Sequence, residues 1–152
     1  MTAIANPQSA MAATSDFRTG FADNGVEHVY GGKTTGVFRA NAAVDAGEVV
    51  TFVVPTAANP LSVTPATAVN TLCAGVAETS AAAGDNVVVC LSGNTFVIAG
   101  GSVTAGNVLG GGSSAKATAV TVDATILAGA ILGFAIAGGS ADDLIPCYVA
   151  KR

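Results

Sequence analysis

Turn signals recur about every ten residues along this chain, from Asn24-Gly25 to Gly138-Gly139, and that spacing leaves no room for long helices. Among them are Gly31-Gly32, Ala46-Gly47, Asn59-Pro60, Ala83-Gly84, Ala105-Gly106 and the triplet Gly110 to Gly112. The segments between are short and rich in Val, Ile, Thr and Phe: "TTGVFRA", "EVVTFVV", "NVVVCL", "NTFVIA", "ATAVTV", "ILGFAI" and "LIPCYV". None shows an apolar period of 3.6 with caps at both ends. The pattern predicts an all-β fold, a small β-barrel or sandwich. Within it, "VVVCLSGNTFVIA" reads as a hairpin turning at Ser92-Gly93-Asn94.

One turn phrase returns four times: "VDAGEVVTFV" from Val44, "AAAGDNVVVC" from Ala81, "VTAGNVLGGG" from Val103 and "ILAGAILGFA" from Ile126. Each places Ala-Gly one residue ahead of a short apolar run. Glycine takes positive φ without steric penalty, so Gly47, Gly84, Gly106 and Gly129 are expected to be structural turn glycines, Gly84 and Gly106 at positive φ. The step from Gly47 to Gly84 is much longer than the two that follow, too uneven a series for a solenoid. The phrase therefore reads as a recurring turn that leads into strands, not as a repeat unit.

Residues 1–35 are small, polar and aperiodic, with Pro7, and read as an extended N-terminal arm; residues 36–152 form the barrel domain. The arm holds Phe17, Phe21, His28 and Tyr30, the candidates for contact with a neighbouring protein. Only 11% of the 152 residues are charged, against about 25% in average globular chains, so few are reserved for a solvated face. Part of the exterior is expected to be covered by copies of the chain or by a partner. The six basic residues are scattered and the net charge is −4, which argues against direct nucleic-acid binding.

A membrane span is not expected either. The long uncharged stretch "ATILAGAILGFAIAGGSA" has only six large apolar residues among its glycines and alanines, whereas a spanning helix needs about 20 mostly apolar residues. The stretch from Met1 to Gly20 lacks the basic and apolar regions of a signal peptide. Cys73, Cys90 and Cys147 then read as three reduced thiols acting as small hydrophobes, with a Cys73–Cys90 bridge as the alternative.

Fragments that imitate catalytic motifs fail in context. Gly32-Lys33-Thr34 lacks the earlier glycine of a phosphate loop, because Glu27 stands there. "GGGSSA" is followed by a strand-like run where a dinucleotide site needs a helix, and Ser113-x-x-Lys116 lies in a Gly/Ser loop that cannot hold a helical Ser–Lys pair. His28 is the lone histidine, placed beside Glu27 and Tyr30, and reads as a strand-edge or interface residue. Asp142-Asp143 reads as a solvated turn, since neighbouring carboxylates on a strand point to opposite faces. No nucleophile, base and oxyanion site assemble, so no enzyme, metal or cofactor is expected.

From about Val44 onward the chain resembles the capsid cement (decoration) proteins of tailed bacteriophages, small all-β proteins with a β-tulip core. The resemblance rests on "CAGVAETSAAAGDNVVVCLSGNTFVIAGGSVTAGNVL", Cys73 to Leu109, and "ILGFAIAGGSADDLIPCYV", Ile131 to Val149, and covers roughly two-thirds of the chain. The N-terminal segment, including "GVEHVYGGKTTGVF", and the final "CYVAKR" depart from the family's pattern. The resemblance implies a virion protein on the outer capsid surface, assembled in the host cytoplasm. Its partners would be the major capsid protein, whose neighbouring subunits it clamps against DNA pressure, and itself, as a homotrimer. The competing reading is a β-sandwich module that adheres to carbohydrate or host surfaces. It is disfavoured by the absence of Trp and by only two Tyr, Tyr30 and Tyr148, since sugar stacking needs an aromatic platform.

Overall fold

A computed structural model describes residues 33–57, 61–69, 71–126 and 128–150. They form nine strands: β1 (Thr34–Ala40), β2 (Val49–Val53), β3 (Ser62–Pro65), β4 (Gly75–Ala77), β5 (Asn86–Ile98), β6 (Val108–Gly111), β7 (Ala117–Ala119), β8 (Ile131–Ala135) and β9 (Leu144–Val149). The fold is all-β; the helical content among the described residues is one 3₁₀ turn, Ala128–Ala130. The strands are short because glycine turns interrupt them and β-branched runs fill the gaps.

The first five strands close a small barrel in the order β1-β3-β2-β4-β5, β5 pairing back onto β1. The remaining strands repeat this arrangement. β6 pairs with β7 and β8, and β8 with β9, as β2 pairs with β3 and β4, and β4 with β5. The second half of β5 takes the part of β1 by pairing with β9, and a parallel bridge from Ala99 to Ala117 stands where β1 meets β3. The 13-residue β5 therefore belongs to both halves.

Hydrogen bonds repeat with the strands. Gly47 N–H donates to the Ala77 carbonyl at 2.7 Å, and Gly106 N–H to that of Ala135 at 2.8 Å. Gly84 N–H donates to the Ala40 carbonyl and Asp142 N–H to that of Ala99. The bridge between Val44 and Ala81 returns between Val103 and Gly139. The chain is thus an internal duplication, in which Val44 answers to Val103 and Ala81 to Gly139 at nearly the same offset.

This corrects three sequence expectations. The turn phrase does mark a repeat: its copies from Val44 and Val103 open equivalent turns one unit apart, and counting all four glycines in a row hides that period. Gly47, Gly84 and Gly106 have φ of 92°, 92° and 88°. Gly129 does not join them; it lies in the 3₁₀ turn, where an added Cβ would meet Leu72 Cδ2 at 2.7 Å, so close packing is what calls for glycine there. The fourth equivalent turn is Ser140-Ala141-Asp142-Asp143, with Asp142 at φ 71°.

The second correction is that "VVVCLSGNTFVIA" does not reverse. It runs through as β5, because each half finds long-range partners, β1 and β4 before Gly93 and β9 from Gly93 onward. Gly93, at φ 106°, serves the crossing from one half to the other rather than a hairpin. The third concerns the boundary between 35 and 36, which falls inside β1, since Thr34 and Thr35 already pair with Ser92 and Cys90.

Two apolar clusters fill the halves. Val50, Val63, Ala77, Val87 and Val89 lie in the first; their counterparts Leu109, Ala117, Ala135, Ile145 and Cys147 lie in the second. The second cluster also takes in Val49, Ala66, Val76 and Cys90, which project from the outer side of the first barrel. The seam is sealed by Val49 N–H donating to the Ala115 carbonyl at 2.7 Å and Ile98 N–H to that of Gly47 at 2.9 Å.

The seam separates two otherwise equivalent turns. A Cβ on Gly47 would lie 2.9 Å from Ile98 Cγ1, whereas one on Gly106 would meet nothing within 4 Å. Gly106→Ala should cost about 1 kcal/mol, for positive φ alone. Gly47→Ala should cost at least about 1 kcal/mol more, because the Ile98 side chain must shift. Urea titration of both variants reads the difference; equal midpoints would mean that the seam is not packed as described.

Candidate interaction surfaces

Among the described residues no group of acidic, histidine or cysteine side chains could hold a metal, and no helix is long and apolar enough to cross a membrane. The arm candidates Phe17, Phe21, His28 and Tyr30 lie outside the described residues. Of the imitated motifs, Gly32-Lys33-Thr34 begins outside the described residues, and the others lie in strands and turns. Gly110 and Gly111 belong to β6, and Gly112 N–H donates to the Lys116 carbonyl to close the β6–β7 hairpin. Asp142 and Asp143 sit in a turn: Asp142 faces Lys116 Nζ, and Asp143 Oδ2 accepts from Ser140 N–H at 2.8 Å.

Cys73, Cys90 and Cys147 are all thiols, with no disulfide between them. Cys90 and Cys147 are buried in the second cluster, and Cys73 packs against it. Burial, reinforced by the neighbouring Cys90, pushes the Cys147 thiol up to about 12. Burial also raises the Cys73 thiol. Thiols held protonated this way are poor nucleophiles and pack as small apolar groups.

What the described residues do offer is a sheet face. Side chains at alternate positions share one side of a strand, and register aligns them across strands. On the outer side of the second half, Val108 pairs with Phe134, Phe134 with Tyr148 and Tyr148 with Asn94. The next row joins Phe96 to Pro146, whose carbonyl accepts from Ile136 N–H at 2.9 Å. The Phe134 and Tyr148 rings lie 5.5 Å apart, and Phe96, Phe134, Ile136 and Leu144 are exposed. Sequence reading passed over this face, because exposed aromatics inside β-rich runs look like core residues until register shows which side they occupy.

No family model matches the chain, and no curated protein matches it in sequence. Among solved structures it is similar to the N base of the head fibre protein gp8.5 of bacteriophage phi29. The TM-score is 0.60 at 21% identity, over 78% of this chain and 95% of that one. The likeness is one of fold.

Proposed function

We propose that this chain is a non-enzymatic structural protein of a phage head. It sits on the outer surface of the shell as a homotrimer with a β-tulip-like core and clamps adjacent major capsid protein subunits against internal DNA pressure. The observation that carries this reading is the fold likeness to the base of a phage head fibre across 78% of the chain. The ordered succession of turn phrases that resembles cement proteins supports it independently. A low-charge exterior with an aromatic sheet face suits a protein that binds by many weak contacts multiplied by symmetry.

The neighbour's own role favours a second reading, the base of a head fibre. Both readings require head binding, but only a clamp must strengthen the shell. Purified chain is expected to co-sediment with expanded heads and to raise the temperature at which they release DNA. Binding without any gain in head stability would favour the fibre base, and no binding would remove both readings.

A further inference from the structure

Because the two halves repeat, a feature that one carries and the other lacks stands out. β3 and β7 are counterparts. Val50 pairs with Pro65 as Leu109 pairs with Ala119, and Ala66 N–H donates to the Val49 carbonyl as Val120 N–H donates to that of Val108. Residues of an antiparallel strand turn their N–H and carbonyl groups to either side in alternation. Gly112 N–H donates to the Lys116 carbonyl and Val120 N–H to that of Val108, so Lys116, Thr118 and Val120 face β6 and Ala119 faces away from it.

In the first half the matching edge is guarded. Pro65 has no N–H to offer, and proline on an edge strand is a common device against pairing with another chain. Ala119 keeps its N–H. β7 stands at the end of the sheet, with this edge bonded at its start, where Gly100 N–H donates to the Ala117 carbonyl at 2.8 Å; Ala119 beyond it is exposed.

Beside Ala119 lies a groove of about 400 Å³, its walls including Val69, Val120, Thr121, Thr125 and Ile126. From Leu61 to Ala77 there is no charged residue, and from Ala117 to Gly133 there is one, Asp123. Thr125 donates to Asp123 Oδ1 through its N–H at 2.8 Å and its hydroxyl at 2.7 Å, which fixes that carboxylate between two residues of the groove.

We propose that this groove takes an extended segment of another protein, which adds as a strand to the edge of β7 at Ala119, is uncharged along the groove and places a basic residue beside Asp123. Main-chain bonds to Ala119 give the affinity, and alternate side chains that fill the groove give the selectivity. A second copy fits less well, since each chain has a net charge of −4 and brings its own Asp123, and its β3 edge presents Pro65. The site owes nothing to the proposed role in the head.

The test is fluorescence anisotropy of the full chain with a short labelled peptide of alternating Val and Thr, with Lys at one end or at the other, because the segment can add in either direction. Wild type should bind one of these. N-methylation of one set of alternate amides should abolish that binding, and methylation of the other set, which faces solvent, should spare it. Ala119→Pro should weaken binding at least about tenfold without lowering the melting temperature, since the first half accepts Pro65 at the same place. Asp123→Lys should move the preference to a peptide that ends in Glu. Ile126→Glu replaces Ala119→Pro if circular dichroism shows the latter misfolded. Failure to bind either peptide, equal binding of both methylated forms, undiminished binding by the variant, or a preference that Asp123→Lys leaves in place would each overturn the proposal. So would light scattering in which Ala119→Pro dissociates an oligomer of the peptide-free chain, because the occupant would then be a second copy.

Discussion

Gly75→Ala and Gly133→Ala are each expected to cost at least about 3 kcal/mol, enough to unfold a domain of marginal stability. A Cβ on Gly75 would lie 2.0 Å from the Cys90 carbonyl oxygen, and one on Gly133 would lie 1.8 Å from that of Tyr148. Both obstacles are backbone, held by strand pairing on either side, so no rotamer change relieves them. They are also the same contact seen twice, since β4 crosses β5 as β8 crosses β9. Gly101→Ala is the control, because nothing lies within 4 Å of its added Cβ, and its effect should stay within about 0.5 kcal/mol. Urea denaturation of the three variants gives the comparison. Wild-type midpoints for both Gly75→Ala and Gly133→Ala would show that these strands do not approach as closely as described.

The fold class was legible because strand length, turn chemistry and β-branched content all act locally. Gly47, Gly84 and Gly106 could be placed for that reason: a turn at positive φ is set by its immediate neighbours. The duplication was not legible, because many equivalent positions share a physical demand and not a residue type. Gly84 answers to Asp142, Val89 to Cys147, Ala74 to Leu132 and Phe52 to Gly111. The β2–β3 connection is also longer than the β6–β7 hairpin, which breaks the period in between. Gly93 misled for the same reason: positive φ within a strand and in a hairpin look alike until distant partners are known. The sheet face around Phe134 depends wholly on such partners, so no local signal could have found it.

The N-terminal segment gives the largest functional prediction. The sequence from Met1 to Gly32 is mostly small and polar and includes Phe17, Phe21 and Tyr30, and we propose that it serves as a docking arm. Aromatics in such a setting suit anchors for a groove on another protein, with His28 beside them. The cut that tests this belongs before β1, which begins at Thr34, so a chain starting at Lys33 keeps all nine strands. It should melt close to the full chain while losing most of its affinity for heads. Melting curves and head co-sedimentation on the two chains separate these outcomes. A large drop in melting temperature would make the segment before Lys33 part of the folded body, and undiminished head binding would move the capsid contact onto the barrels.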